Sequence, residues 1–137
     1  MKVIGFNFTK ISIEKFSDNF SKINLKTNID ISEINEIKAG SFKIKEEIIG
    51  VKFNYVVEYE PNIAKLEFSG SILFAVDSKL IKEILKAWKD KIIFEEFKIP
   101  LFNIILKKAN IKSIQLEEEL NLPLHVPLPS LKKTESK

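Results

Sequence analysis

The sequence predicts an α+β fold: a four-stranded antiparallel sheet, two helices covering one of its faces, and an extended C-terminal arm. Three observations carry this. Between Lys2 and Val76 apolar and polar residues alternate with period two, the signature of half-buried strands. After Asp77 the apolar residues recur instead at helical spacing. Prolines at 123, 127 and 129 then exclude a helix from the end of the chain.

The first strand covers Lys2–Ile13. Ile4, Phe6 and Phe8 share one parity, and Ile11 and Ile13 share the other, so a β-bulge is expected near Thr9–Lys10. A second strand runs through Ile23, Leu25, Thr27, Ile29 and Ile31, continuing less cleanly through Ile34 and Ile37. In the third, Phe42, Ile44, Glu46 and Ile48 alternate on even positions, and Val51, Phe53, Tyr55, Val57 and Tyr59 on odd ones. A bulge or bend near Ile49–Gly50 is expected to reconcile the two sets. Glu60-Pro61-Asn62 is a turn signal. The fourth strand follows, with Ala64, Leu66, Phe68, Gly70, Ile72, Phe74 and Val76 on one face and Lys65, Glu67, Ser69 and Ser71 on the other. One apolar and one largely polar face describe an antiparallel sheet covered on one side.

Asp77 or Ser78 suits the N-cap of the first helix, in which Leu80, Ile81, Ile84, Leu85 and Trp88 form one face up to about Asp90. Pro100 suits the first turn of a second helix, ending between 113 and 119. Its apolar residues from Leu101 to Ile111 span an arc of roughly 220°, far wider than the ~100° stripe of a one-sided surface helix. Lys108 and Lys112 fall inside that arc, where long stems can snorkel. The helix is expected to bury two sides, one on its own sheet and one on a partner subunit. In the arm, Leu122, Leu124, Val126 and Leu128 should face one way, and His125 and the prolines the other. Residues 1–131 read as one domain and 132–137 as a polar disordered tail.

Composition narrows the function classes. The 137 residues include no cysteine and one histidine, His125, which leaves little material for a zinc site, a thiol nucleophile or a Ser-His-Asp triad. All 22 cations are lysines, so bidentate arginine recognition of phosphate is excluded. Four glycines at 5, 40, 50 and 70 match no phosphate-binding motif. The expectation is no enzyme, no cofactor and no metal site. The net charge of +3 arises after residue 76, where lysines alternate with glutamates rather than forming a basic stripe, so no nucleic-acid partner is expected. The longest apolar run, Ile72–Val76, falls far below the ~18 residues of a membrane helix, which suggests a cytoplasmic protein without membrane insertion. His125 is expected to be a packing or surface residue. Glu95-Glu96 and Glu117-Glu118-Glu119 are expected on solvated faces, because adjacent carboxylates on a helix point to different sides. Trp88, spaced helically from Ile84 and Leu85, is expected to pack rather than stack on a ligand.

Several segments resemble the SecB family of export chaperones. Asn7-Phe-Thr-Lys-Ile-Ser-Ile-Glu14 is similar to the family's first strand, and Leu66-Glu-Phe-Ser-Gly-Ser-Ile-Leu-Phe74 to its last. Asp77–Trp88 and Phe97-Lys-Ile-Pro-Leu-Phe102 resemble its helical region with a proline inside, and Leu120-Asn-Leu-Pro123 its Leu-Asn-Leu element. The likeness covers about residues 3–129, and the order of elements carries more of it than any one motif. It implies a homotetramer, a dimer of dimers, acting as an ATP-independent holdase for unfolded or precursor polypeptides. Phe6, Phe8, Phe94, Phe97 and Phe102 are the candidates for its polypeptide groove, with groove and core not separable by sequence. Ile81, Leu85, Trp88, Ile104 and Ile105 are the candidates for contacts between copies. Glu14 and Glu67 match positions where the family docks a translocation motor. The family's aspartate after Thr-Lys is replaced by Ile11, and its acidic balance by a basic one, which counts against that docking. The competing reading is a dedicated protein-interaction module of this fold without general chaperone activity; a small-ligand or lipid carrier using the same apolar cleft is a third.

Overall fold

A computed structural model describes residues 1–38 and 47–131. The elements are β1 (Lys2–Lys15), β2 (Asn24–Ile37), β3 (Glu47–Glu60), β4 (Ala64–Val76), α1 (Ser78–Lys89) and α2 (Glu95–Glu119). The four strands form one antiparallel sheet in the order β1-β4-β3-β2. β2, β3 and β4 follow one another as neighbours, and β1 closes onto β4 in Greek-key fashion. The α+β architecture expected from the sequence is the one found.

Register explains the parity changes. β1 passes from Phe8↔Gly70 to Lys10↔Ser69, so Thr9 is the extra residue, in the place expected for a bulge. A second shift between Val3 and Gly5 ejects Ile4, which the alternation had grouped with Phe6 and Phe8; it is 43% exposed. A third, between Ile31 and Glu33, makes Ser32 the extra residue and returns Ile34 to the covered face. The bulge expected near Ile49–Gly50 is absent. Pairing runs unbroken through Ile48↔Ala75, Ile49↔Phe74 and Gly50↔Leu73. Ile48 and Ile49 lie on opposite faces and both are buried. At this end the outer face is apolar too, because the Ile37 side chain lies where a Cβ on Gly50 would stand, 2.6 Å from its Cδ1. The pattern changed there without any change in the backbone. Phe42, Ile44 and Glu46 lie outside the described residues.

The covered face carries Val51, Phe53, Tyr55, Val57 and Tyr59 from β3 and Leu66, Phe68, Ile72 and Phe74 from β4, all buried. Each such side chain contributes about 1.5–3 kcal/mol. Gly70 sits among them by necessity: a Cβ would meet Asn7 O at 2.5 Å and the Phe53 ring at 2.8 Å. Its absence lets Phe53 lie over the strand and meet Phe6 at 5.5 Å between ring centroids, with Phe8 on Phe68 at 5.4 Å.

Asp77 caps α1, accepting from Leu80 N–H at 2.8 Å. Ile81 and Ile84 are the buried pair of that helix. α2 starts at Glu95, five residues before Pro100, so the proline lies inside the helix and not in its first turn. Pro100 forgoes one main-chain hydrogen bond. Phe97 and Leu101, buried on either side of it, hold the helix through the gap. Glu95 and Glu96 favour the start through the helix dipole, in place of a side-chain cap. The buried residues of α2 are Phe97, Leu101, Ile105, Ala109, Ser113 and Glu117, one every four positions. Such a row is inclined by about 26° to the helix axis, so α2 packs on the sheet along a slanting seam. Its other apolar residues are only partly covered within the chain, with Ile99 53% and Ile111 54% exposed. The arm runs from Asn121 without regular structure. Leu122 is buried, Leu124 and Val126 are half-buried, and Leu128 is exposed. Residues 132–137, expected as a disordered tail, are outside the described residues.

Candidate polypeptide groove and the network beside it

Among the described residues β2 is an edge strand, with no sheet partner on one side of its backbone. Along that edge runs a groove of about 390 Å³. Ile29, Asp30 and Ile31 form one wall; Trp88 from the end of α1, Ile93 from the connection, and Phe102 from α2 form the other, with Lys91 and Lys98 at its rim. The ammonium of Lys91 lies 4.3 Å from the Trp88 ring centroid, and that of Lys98 lies 5.4 Å from Phe102. Apart from Asp30 the walls are apolar and aromatic, the rim carries lysines, and a strand edge offers main-chain donors and acceptors. An extended chain can be held there through its backbone and its alternate side chains together.

The five phenylalanines expected in a groove do not share one place. Phe102 lines it. Phe94, at the N-cap of α2, is half-buried against the core. Phe97 is 1% exposed and packs edge-on against Phe74 at 5.5 Å, so it is a core residue. Phe6 and Phe8 lie at the opposite edge, in the aromatic cluster with Phe53 and Phe68. Of the residues expected between copies, Ile81 and Ile105 are already covered by this chain's own sheet. Leu85, Trp88 and Ile104 are half-buried, and Trp88 belongs to the groove. Ile29, Ile31, Ile93, Lys91 and Lys98 were not singled out. Alternation shows which face a strand residue occupies, and nothing in it shows which strand is the edge.

Glu14 and Glu67 both lie on the uncovered face, where register places Glu14 opposite Lys65. Lys10 donates to Glu67 at 2.8 Å, and that hydrogen bond, with another from Asn54, holds the Glu67 carboxyl below its ordinary range. Between Lys10–Glu67 and a second pair, Lys52–Glu33 at 3.2 Å, the sheet carries a polar trough of about 520 Å³ floored by Asn54, Ser69 and Ser71.

The largest departure from expectation is at the other end of α2. Glu117 is fully buried rather than solvated, and of the two places expected for His125, packed or at the surface, its side chain takes the packed one, 5% exposed. The Glu117 carboxylate accepts from the Tyr59 hydroxyl, from His125 N–H at 3.1 Å, and from His125 Nδ1 at 2.9 Å. On its other side the imidazole Nε2 lies 2.6 Å from the Tyr55 hydroxyl and 3.1 Å from Asn110 Oδ1. Tyr55 also donates to Asn110 at 3.0 Å, and its ring stacks on Phe68. Burial, then the Glu117 charge, pushes the Tyr55 hydroxyl up to about 12. Among the described residues no buried side-chain nitrogen or oxygen lacks a partner, as a buried polar network requires. The sequence signal was the stripe itself: Glu117 continues the four-residue row from Phe97, so it was placed to point inward.

No protein-family model matches the chain, and no curated protein matches it in sequence. In structure it is similar to the Mycobacterium tuberculosis Rv1957 SecB-like chaperone, solved in complex with a ChAD peptide from the Rv1956 HigA1 antitoxin. The TM-score is 0.59 at 13% identity, and the match covers 96% of this chain and 87% of that one. That likeness establishes the fold: the chain has the SecB-like architecture that the order of its elements suggested.

Proposed function

We propose that this SecB-like fold serves to capture extended apolar polypeptide segments without ATP, as a holdase, in the groove beside β2. The observation that carries the reading is the groove's construction: a strand edge, unpaired among the described residues, facing Trp88, Ile93 and Phe102. The mostly half-buried apolar side chains of the walls reward area rather than sequence, and the edge accepts any main chain. That the structural neighbour was solved with a peptide bound supports it. No catalytic step enters the reading; the His125–Glu117 pair is sealed from substrate by its burial. Assembly into a homotetramer would cover the exposed side of α2 at Ile99 and Ile111. Motor docking through Glu14 and Glu67 is left out, because Glu67 is already bonded to Lys10 and Lys65 faces Glu14. No described helix is long and apolar enough to cross a membrane.

The test is light scattering of a chemically unfolded protein diluted with and without this one, with the oligomer mass measured on the same sample. Suppression at stoichiometric ratios, lost in Phe102→Ser, is the expected result. A second reading, a module dedicated to one partner, is favoured by the antitoxin peptide held by the structural neighbour. Under it, unrelated clients aggregate unhindered while one protein is retained.

A further inference from the structure

The C-terminal arm is anchored on β3, one strand in from the groove. Its anchor, His125, is bonded to Tyr55, and register places Tyr55 directly opposite Ile29, a groove wall residue. Tyr59, bonded to the same carboxylate, lies opposite Leu25, four residues further along β2. At about 3.3 Å per residue, Leu25 lies some 13 Å along β2 from Ile29. The arm is itself an extended, apolar, proline-bearing segment, the kind of chain the groove suits. We infer that the arm is a displaceable strap occupying the continuation of the groove, and that a polypeptide longer than the open part competes with it. This rests on the proposed capture of polypeptide at that groove.

The arm is built to be held at a few points and released as a unit. It has no regular hydrogen-bonded structure after Leu120. Leu122 is its one fully covered apolar residue, tied back by its N–H to Glu117 O at 2.9 Å. His125 supplies the side-chain polar anchor, on a network in which Glu117, Tyr59, Tyr55 and Asn110 face it. After Val126 the chain leaves the body: Leu128 is 52% exposed and Leu131 fully so. A competing strand needs to break only the stretch from Leu122 to Val126.

The experiment uses the whole chain and two fluorescein-labelled peptides: a five-residue apolar segment that the open groove accommodates, and a twelve-residue segment containing it. Affinity is read by fluorescence polarisation, and amide exchange at Leu122 and His125 is followed with each peptide in excess. The long peptide should lower protection at both amides at least tenfold, and the short one should leave it unchanged. His125→Ala should bind the long peptide about tenfold more tightly and the short one as before. Unchanged protection with the long peptide bound overturns the strap while leaving the groove reading intact, and because it is read on the unaltered chain it decides even if His125→Ala fails to fold. Failure of the short peptide to bind overturns both.

Discussion

The two halves of α2 use one geometric rule and two chemistries. Phe97, Leu101 and Ile105 place hydrocarbon on the sheet; Ser113 and Glu117, on the same four-residue row, place polar groups against the tyrosines of β3. The first half holds by area and tolerates an open groove at its side, since hydrocarbon beside hydrocarbon requires no directional partner. The second holds by direction. Its buried carboxylate is stable only while every donor around it is in place, and the arm supplies two of those donors through His125. The dry half is therefore free to receive a foreign chain, whereas the polar half is finished by the protein's own.

This contrast can be broken from either side. The largest effect is expected from Phe97→Ala, which leaves a cavity beside Phe74 and should cost about 3–5 kcal/mol in urea unfolding. Glu117→Ala should cost about 2–4 kcal/mol by orphaning the Tyr59 hydroxyl and the His125 amide. Unlike Phe97→Ala, it should also release the arm, seen as faster amide exchange at Leu122. A destabilisation that spares the arm would show the network to be ordinary core.

A smaller effect is expected from pH. The Tyr55 hydroxyl is raised to about 12 in the folded chain, from an ordinary value of 10. Its contribution is complete below pH 10 and is lost as pH rises towards 12, because the unfolded state gives up the proton first. Stability should fall by up to about 2 kcal/mol over that interval, and Tyr55→Phe should flatten the fall. Groove substitutions come next. Phe102→Ser should weaken binding of an apolar peptide about tenfold, or ~1.4 kcal/mol, while changing the unfolding midpoint less than Phe97→Ala does. The smallest effect belongs to Lys10→Ala, within about 0.5 kcal/mol, because its partner Glu67 is near solvent.

Much of this was legible in the residues. Parity alone placed a bulge near Thr9–Lys10, and the turn at Pro61, a cap at Asp77 or Ser78 and the exclusion of helix from the arm came from local chemistry. What failed did so for non-local reasons. Ile48 and Ile49 suggested a bulge because the outer face was assumed polar along its whole length, and Ile37 from a neighbouring strand makes it apolar there. Pro100 was read as a helix start from its own preference, which the packing of Phe97 and Leu101 overrode. Taken alone, Glu117 reads as solvated and His125 as either packed or at the surface; the burial of the carboxylate makes sense only with the histidine beside it. The groove was half seen: Phe102 was named, but its opposite wall depends on strand order, which alternation does not encode.

The strand order also sets a timetable. β2, β3 and β4 can pair as successive hairpins, whereas Phe8 must wait for Gly70, 62 positions later in the chain. At about 5–20 residues per second of synthesis, that wait is roughly 3–12 s. Throughout it, the β1 segment is an unpaired strand carrying Ile4, Phe6, Phe8, Ile11 and Ile13. On the proposed function, a guardian of unfinished chains passes seconds of its own synthesis as one.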